Sequence, residues 1–366
     1  MCTHRRSLFS SPGRGRRWCL LTVGVAVFSG PVAAAPLLPA LAADERAITV
    51  SGLSSGGYMA VQFQVAHSSL VRGAGIIAAG PYGCAQGSIW QALKNCMSPS
   101  TSSPLPTTEQ TNAKVEALAR AGQIDRPEHL RDDKVWLLSG GADLVVERPV
   151  MDALAGFYHS RLPATAIHYL KPATAGHAMP SAVDPAANAC STSSPPFLNR
   201  CLDPDGGAVL DAAGDLLKHL LPALAPAATA VPPVGTFDQR PFISGKPVDV
   251  SLADEGFVYV PAVCNSGGCR IHVAFHGCRQ NAEEVGSRFA DMAGYNRWAE
   301  TNRLIVLYPQ TVGRNGLAAG SLRWLYNPKA CWDWWGYTGG DYLTRNAPQI
   351  SAVRQMIRQL AAPLGR

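Results

Sequence analysis

The sequence predicts an α/β fold: a mainly parallel sheet with helices on both faces. Three observations carry the prediction. Strand-like and helix-like segments alternate along most of the chain. The string GLSSGG stands between a short apolar run (AITV) and a breaker-poor helical stretch. A single break in composition, the Pro/Ala-rich PALAPAATAVPP, divides two halves, neither of which has enough strands for a sheet of its own.

In order along the chain, strands are expected at residues 47–50, 71–79, 134–139 (KVWLLS), 166–170, 256–263, 270–275 and 304–308 (LIVLY). These runs are short, apolar and bounded by turn residues. Helices are expected at 58–67, 111–121, 150–158, 211–221, 290–301 and 350–360. The turn CNSGGC at 264–269 reads as the tip of a hairpin joining 256–263 to 270–275. Residues 222–235 read as a linker, because their prolines suit neither a regular helix nor a central strand.

The first 42 residues have a leader's layout: Arg5, Arg6, Arg14, Arg16 and Arg17, an apolar stretch from Trp18, then small residues. Gly24, Gly30 and Pro31 interrupt the apolar stretch, which argues against a membrane anchor. Cleavage after Ala35 or Ala42 fits, and the arginine pairs match a twin-arginine signal poorly. The expected organisation is therefore a signal peptide, 1–42, and one catalytic domain, 43–366. Loss of five arginines and no acids lowers the net charge from +6 to +1. That balance gives no reason to expect a nucleic-acid partner or electrostatic membrane binding. The expected protein is exported, to the periplasm or beyond, and monomeric.

Eight cysteines follow the leader: Cys84, Cys96, Cys190, Cys201, Cys264, Cys269, Cys278 and Cys331. An even number in an exported chain reads as a disulfide framework. Proximity suggests 84–96, 190–201 and 264–269, leaving 278–331, although other pairings are open. There is no Cys-x-x-Cys pair, and His272 and His276 lie on a strand, so no metal is expected.

Gly52-x-Ser54-x-Gly56 fits a strand-to-helix elbow that exposes a serine hydroxyl, with helix N-terminal amides close by. A serine nucleophile needs a base, and the base needs an acid to orient it. Asp143 follows the strand ending at Ser139, and His177 follows the strand ending at Leu170. Ser, Asp and His thus fall in successive strand-end loops, in the order this architecture requires. Taken singly, Asp143 could be a helix cap. His67, His129, His159, His168 and His219 read as structural. The loop that supplies a second oxyanion amide ordinarily precedes the serine. Here FHGC (275–278) comes far downstream, after a buried-looking strand. Circular permutation explains this, with residues 222–235 joining the former termini; two unrelated domains are the alternative.

The set GLSSGG, SGGAD, GHAMP, FHGCRQ and CWDWWGY resembles the extracellular poly(3-hydroxybutyrate) depolymerases, in particular those with a circularly permuted α/β-hydrolase domain. The resemblance spans nearly all of the chain after the leader. It implies Ser54 as nucleophile, Asp143 as acid and His177 as base. It also implies an oxyanion hole from the amides of Ser55 and Cys278, with a Cys278–Cys331 bridge holding the oxyanion loop against the aromatic segment. The implied substrate is a polyhydroxyalkanoate, and no cofactor is called for. An appended adsorption domain of the kind multidomain members carry is not expected. Trp332, Trp334, Trp335 and Tyr337 are expected at the substrate groove, though part of so dense an aromatic run also suits a core; Trp324 and Tyr326 are weaker choices. A feruloyl or acetyl-xylan type carboxylesterase, or a non-catalytic binding protein on the same scaffold, would share much of this pattern.

Overall fold

In the computed structural model, residues 34–203, 207–318, 322 and 324–364 are described. The basic start and apolar stretch of the leader lie outside them. Within the unit spanning Ala35–Arg366, the strands of the main sheet are β1 (Asp44–Leu53), β2 (Val71–Ile77), β3 (Lys134–Leu138), β4 (Ile167–Leu170), β5 (Gly235–Asp238), β6 (Glu255–Tyr259), β7 (Arg270–Phe275) and β8 (Leu304–Tyr308). They form one eight-stranded sheet in the order β4-β3-β2-β1-β7-β8-β6-β5. The pairs from β4 to β8 are parallel; β6 runs antiparallel to both β8 and β5.

Alternation along the strands builds a core on each face. Val135 and Leu137 of β3, Ile271, Val273 and Phe275 of β7, and Ile305 and Leu307 of β8 enter one apolar cluster. Trp136, Leu138, Ala274, Leu304, Val306 and Tyr308 enter the other. Burial on both faces is why LIVLY is apolar without a break. Helices α1 (Ser55–Ala66), α3 (Thr108–Arg120), α4 (Arg148–His159) and α8 (Pro348–Ala361) pack into the first cluster. Helices α5 (Ala212–Leu220), α6 (Arg288–Met292) and α7 (Tyr295–Thr301) pack into the second. Every residue of α1 is buried, which explains a sequence with no polar face. Its two glutamines are satisfied internally: Gln62 Nε2 donates to the Asp333 carbonyl, and Gln64 Nε2 donates to Asp133 Oδ2.

Counted from the linker onward, the strands run β5, β6, β7, β8, β1, β2, β3, β4. In that count the sheet order becomes 1-2-4-3-5-6-7-8, with the serine turn after the fifth strand and FHGC after the third. This is the α/β-hydrolase order, circularly permuted. The new ends meet where the unpermuted chain would run on into its central strand. The Leu41 and Ala43 amides donate to the Leu360 carbonyl, and that of Ala42 to Ala362 at the end of α8. The Pro36 carbonyl accepts from Asp238 of β5, and Leu38 and Leu41 are buried.

Two expectations are corrected. The strands flanking CNSGGC do not form a hairpin, because β8 lies between β6 and β7. The Cys264–Cys269 bridge closes a 3-10 turn, Ala262–Ser266, inside a crossover instead. The helix expected over 290–301 is divided into α6 and α7 at Gly294, whose φ of 106° no β-carbon would favour. Residues 222–234 form no helix or strand, as a linker should. They are tied to α7 by the paired bonds of Ala228 with Arg297 and of Ala225 with Asn302. Helix α2 (Ile89–Asn95) is not among the helices expected above.

Asp133 makes the fold sensitive to pH. Burial pushes its carboxyl up to about 8, against the opposing pull of Gln64. The folded state therefore holds a proton that the unfolded chain releases near pH 4. The associated stability is complete below about pH 4 and is lost as pH rises through 8. Asp133→Asn should gain in urea midpoint over the wild type as pH is raised from 5 to 9. Parallel midpoint curves would contradict this.

Candidate active site

The elbow is built by contact. Ser54 adopts φ 56° and ψ −123°, a strained turn. Its N–H donates to the Ile77 carbonyl, and its own carbonyl accepts from Tyr58 N–H. A β-carbon on Gly52 would lie 2.2 Å from the Gly56 carbonyl. One on Gly56 would lie 2.3 Å from the Phe275 carbonyl oxygen and 2.4 Å from that of His276. The glycines of GLSSGG therefore set both the tightness of the turn and its distance from the FHGC loop.

The acid and base loops interlock in the same way. A side chain on Gly140 would strike the Ala175 carbonyl, and one on Gly141 that of Ala173. The Ala142 amide donates to the Ala175 carbonyl, 3.0 Å away. Asp143 uses both carboxylate oxygens. Oδ1 accepts from the Val145 and Val146 amides, and Oδ2 accepts from His177 Nδ1 at 2.8 Å. Val145 and Val146 precede α4, whose N-cap is Glu147 without a side-chain bond, so Asp143 closes a turn ahead of that helix instead of capping it. The His177 amide donates to Ser193 Oγ, fixing the ring's base. Asp143 engages Nδ1, which leaves Nε2 as the nitrogen available to a hydroxyl.

Ser54 and His177 border one cavity of about 340 Å³. Their side chains are not hydrogen bonded to each other, a separation common before substrate binds. Cys278 lies on the same wall. Ser55 is the first residue of α1, where the N–H has no partner within the helix. The amides flanking Cys278 are engaged: Gly277 donates to Gln280 Oε1, and Arg279 to the Lys329 carbonyl. Among the described residues, nothing holds the Cys278 amide. His276 braces this loop. Thr311 N–H can only donate, so Nε2 accepts it and Nδ1–H donates to the Gly277 carbonyl. Burial lowers the His276 pKa to about 4, keeping the ring neutral for both bonds. His272 bonds Thr49 and Ser51 across β1 and β7 and takes no part in the cavity.

All four expected disulfides are present, and Cys278–Cys331 joins the FHGC loop to the aromatic segment. That segment divides. Trp334 stacks flat on Tyr58, with centroids 4.1 Å apart, and Trp335 stands perpendicular to Trp334; both line the cavity. Trp332 and Tyr337 correct the expectation, since neither is on the wall. Trp332 is fully buried, edge-on to Phe275. The Tyr337 hydroxyl donates to the Cys331 carbonyl inside the protein. Asp333 holds the turn between them, accepting from the amides of Gly336, Tyr337 and Thr338. Tyr326 reaches the wall, while Trp324 is exposed on the same short strand, Trp324–Asn327, which pairs antiparallel with Arg314–Leu317. Ile89 and Leu93 of α2, with Met97, Val145, Val146 and Phe197, complete an apolar lining that the sequence analysis missed. The one available signal was the Cys84/Cys96 pair, which brackets α2.

An elbow serine, a histidine–carboxylate pair on the next strand-end loops and a braced amide loop, carried on a permuted α/β-hydrolase sheet, define a serine-hydrolase scaffold. Comparison with known proteins narrows this. The chain is 40% identical over 343 residues to a poly(3-hydroxybutyrate) depolymerase of Delftia acidovorans, covering 92% of this chain and 64% of that protein. It is 33% identical over 338 residues to a polyhydroxybutyrate depolymerase of Talaromyces funiculosus, covering 90% and 94%. The crystal structure of the PHB depolymerase from Penicillium funiculosum aligns with a TM-score of 0.76 at 30% identity, covering 89% of this chain and 98% of that one. A serine-to-alanine variant of a PHB depolymerase complexed with an R3HB trimer aligns equally well. No family model matches. The chain belongs to the polyhydroxybutyrate depolymerase family.

A fluorophosphonate should label the folded protein, and Ser54→Ala should abolish the label in intact-mass spectra. Gly56→Ala, which forces the elbow away from the Phe275 and His276 carbonyls, should slow labelling by about 100-fold. Unchanged labelling in either variant would refute this reading of the turn.

Proposed function

We propose that this protein is an exported serine esterase that hydrolyses poly(3-hydroxybutyrate) or a related polyhydroxyalkanoate. The observation that carries the proposal is the convergence of Ser54 with the His177–Asp143 pair on one apolar, aromatic-walled cavity. The names of its relatives, and the R3HB trimer bound by one of them, point the same way.

In the proposed reaction, Ser54 Oγ attacks the ester carbonyl while His177 Nε2 takes its proton. Asp143 Oδ2 holds Nδ1–H and stabilises the imidazolium. The Ser55 and Cys278 amides receive the oxyanion, each contributing about 3 kcal/mol of transition-state stabilisation. His177 returns the proton to the departing alkoxide. Water, activated by the same imidazole, then releases the acid. Trp334, Trp335, Tyr58 and Tyr326 suit a chain of methyl groups and ester oxygens. Trp90, Leu144 and Trp324 are exposed beside wall residues and give a polymer surface something apolar to meet.

The four disulfides agree with an oxidising destination. Leader cleavage after Ala35 suits the fold better than cleavage after Ala42, because it keeps Pro36, Leu38 and Leu41 in place. The working form is a monomer.

Suspensions of amorphous polyhydroxybutyrate should clear, releasing 3-hydroxybutyrate and its short oligomers. Asp143→Asn should lower kcat about 10⁴-fold, since the amide favours the wrong His177 tautomer. Turnover of a feruloyl or acetyl-xylan ester with no clearing of the polyester would favour a carboxylesterase instead.

A further inference from the structure

The cavity beside Ser54 is charged in one sense only. Arg279 and Lys329 stand on its wall, and among the described residues no Asp or Glu lines it. The two cations arise from one corner: Arg279 directly follows Cys278, and its amide donates to the Lys329 carbonyl at 2.8 Å. The Arg279 guanidinium is partly occupied, 3.8 Å from Glu284, with both side chains nearly half exposed. Lys329 has no ion pair among the described residues and is exposed. A neutral polyester gives no reason for such a corner in an otherwise apolar wall.

A 3-hydroxyalkanoate chain is uncharged along its length and carries one carboxylate, at its acid end. That end always lies on the leaving-alcohol side of the scissile ester. When the ester nearest the end is cut, the hydroxyl goes to a short hydroxy acid that retains the charge. We propose that Lys329, supported by Arg279, forms a subsite for the terminal carboxylate of soluble free-acid oligomers. The site would then trim the acid ends of fragments that polymer cleavage releases. This rests on the ester-hydrolase reading above and specifies which oligomers it favours. A contact made equally in ground and transition states acts on KM rather than kcat. For an exposed pair the expected effect is about three- to fivefold, and it is screened by salt.

The test compares initial rates on the (R)-3-hydroxybutyrate trimer as free acid and as methyl ester, at low and high ionic strength. The wild type should show a KM for the acid about three- to fivefold below that for the ester at low salt, with the advantage disappearing at high salt. In Lys329→Gln the ratio of the two KM values should move to near one, and turnover of the methyl ester serves as the check on folding. Equal KM values in the wild type, or an advantage that survives in Lys329→Gln, would overturn the subsite. Hydrolysis of neither trimer by folded wild type would overturn the esterase reading itself.

Discussion

The geometry of this molecule depends on one close approach. The backbone at Gly56 lies against the carbonyls of Phe275 and His276 so tightly that no β-carbon fits between them. This contact brings the serine turn and the FHGC loop to one place, although they come from opposite sides of the linker. The parallel pairing of β1 with β7 sets their height, and the buried Thr49–His272–Ser51 bonds lock the register. His276 then holds its loop by both ring nitrogens. Cys278–Cys331 adds a covalent tie whose loop closure contributes about 4 kcal/mol in chain-entropy terms. The positions of the Ser55 and Cys278 amides follow from these constraints, before any substrate is considered.

Much of this was legible in the sequence, for identifiable reasons. The strands at 134–139 and 304–308 were readable because burial on two faces demands unbroken apolar runs. Asp143 was readable because its loop directly follows such a strand, and His177 because it stands in the loop after the next one, the half-exposed edge strand β4. What could not be read was adjacency. The CNSGGC turn looked like a hairpin tip because its residues suit one, but strand neighbours are decided by the whole sheet, and β8 took the place beside β7. Trp332 and Tyr337 were indistinguishable in sequence from Trp334 and Trp335. Only the turn clamped by the Asp333 carboxylate decides which rings face the cavity and which face the core.

The cavity combines rigid and less embedded walls. Tyr58 rises from the fully buried α1, and its hydroxyl is fixed to the Cys96 carbonyl. Trp334 stacks on it, so one side is as firm as the core. The opposite contribution comes from α2, of which only Ala92 is buried. It is tied to the body at its C-terminal end by the Cys84–Cys96 bridge, the Tyr58 bond to the Cys96 carbonyl and the Glu147 amide's bond to the Met97 carbonyl. A short helix so little embedded keeps its place through these ties at one end. The family's chemistry therefore sits between a packed floor and a stapled flank.

The meeting of residues 41–43 with the end of α8 has a consequence for how the chain is made. The central strand of the sheet is synthesised first, yet its partner across the Thr49–His272 bond lies 223 residues downstream. Until that partner emerges, β1 has one open edge in the middle of what will become the core. Contacts so distant in sequence form slowly, so the nascent polypeptide reaches its final topology only when translation is nearly done. A protein ordered this way stays unfinished for most of its synthesis, its earliest strand waiting on late ones for half of its pairing.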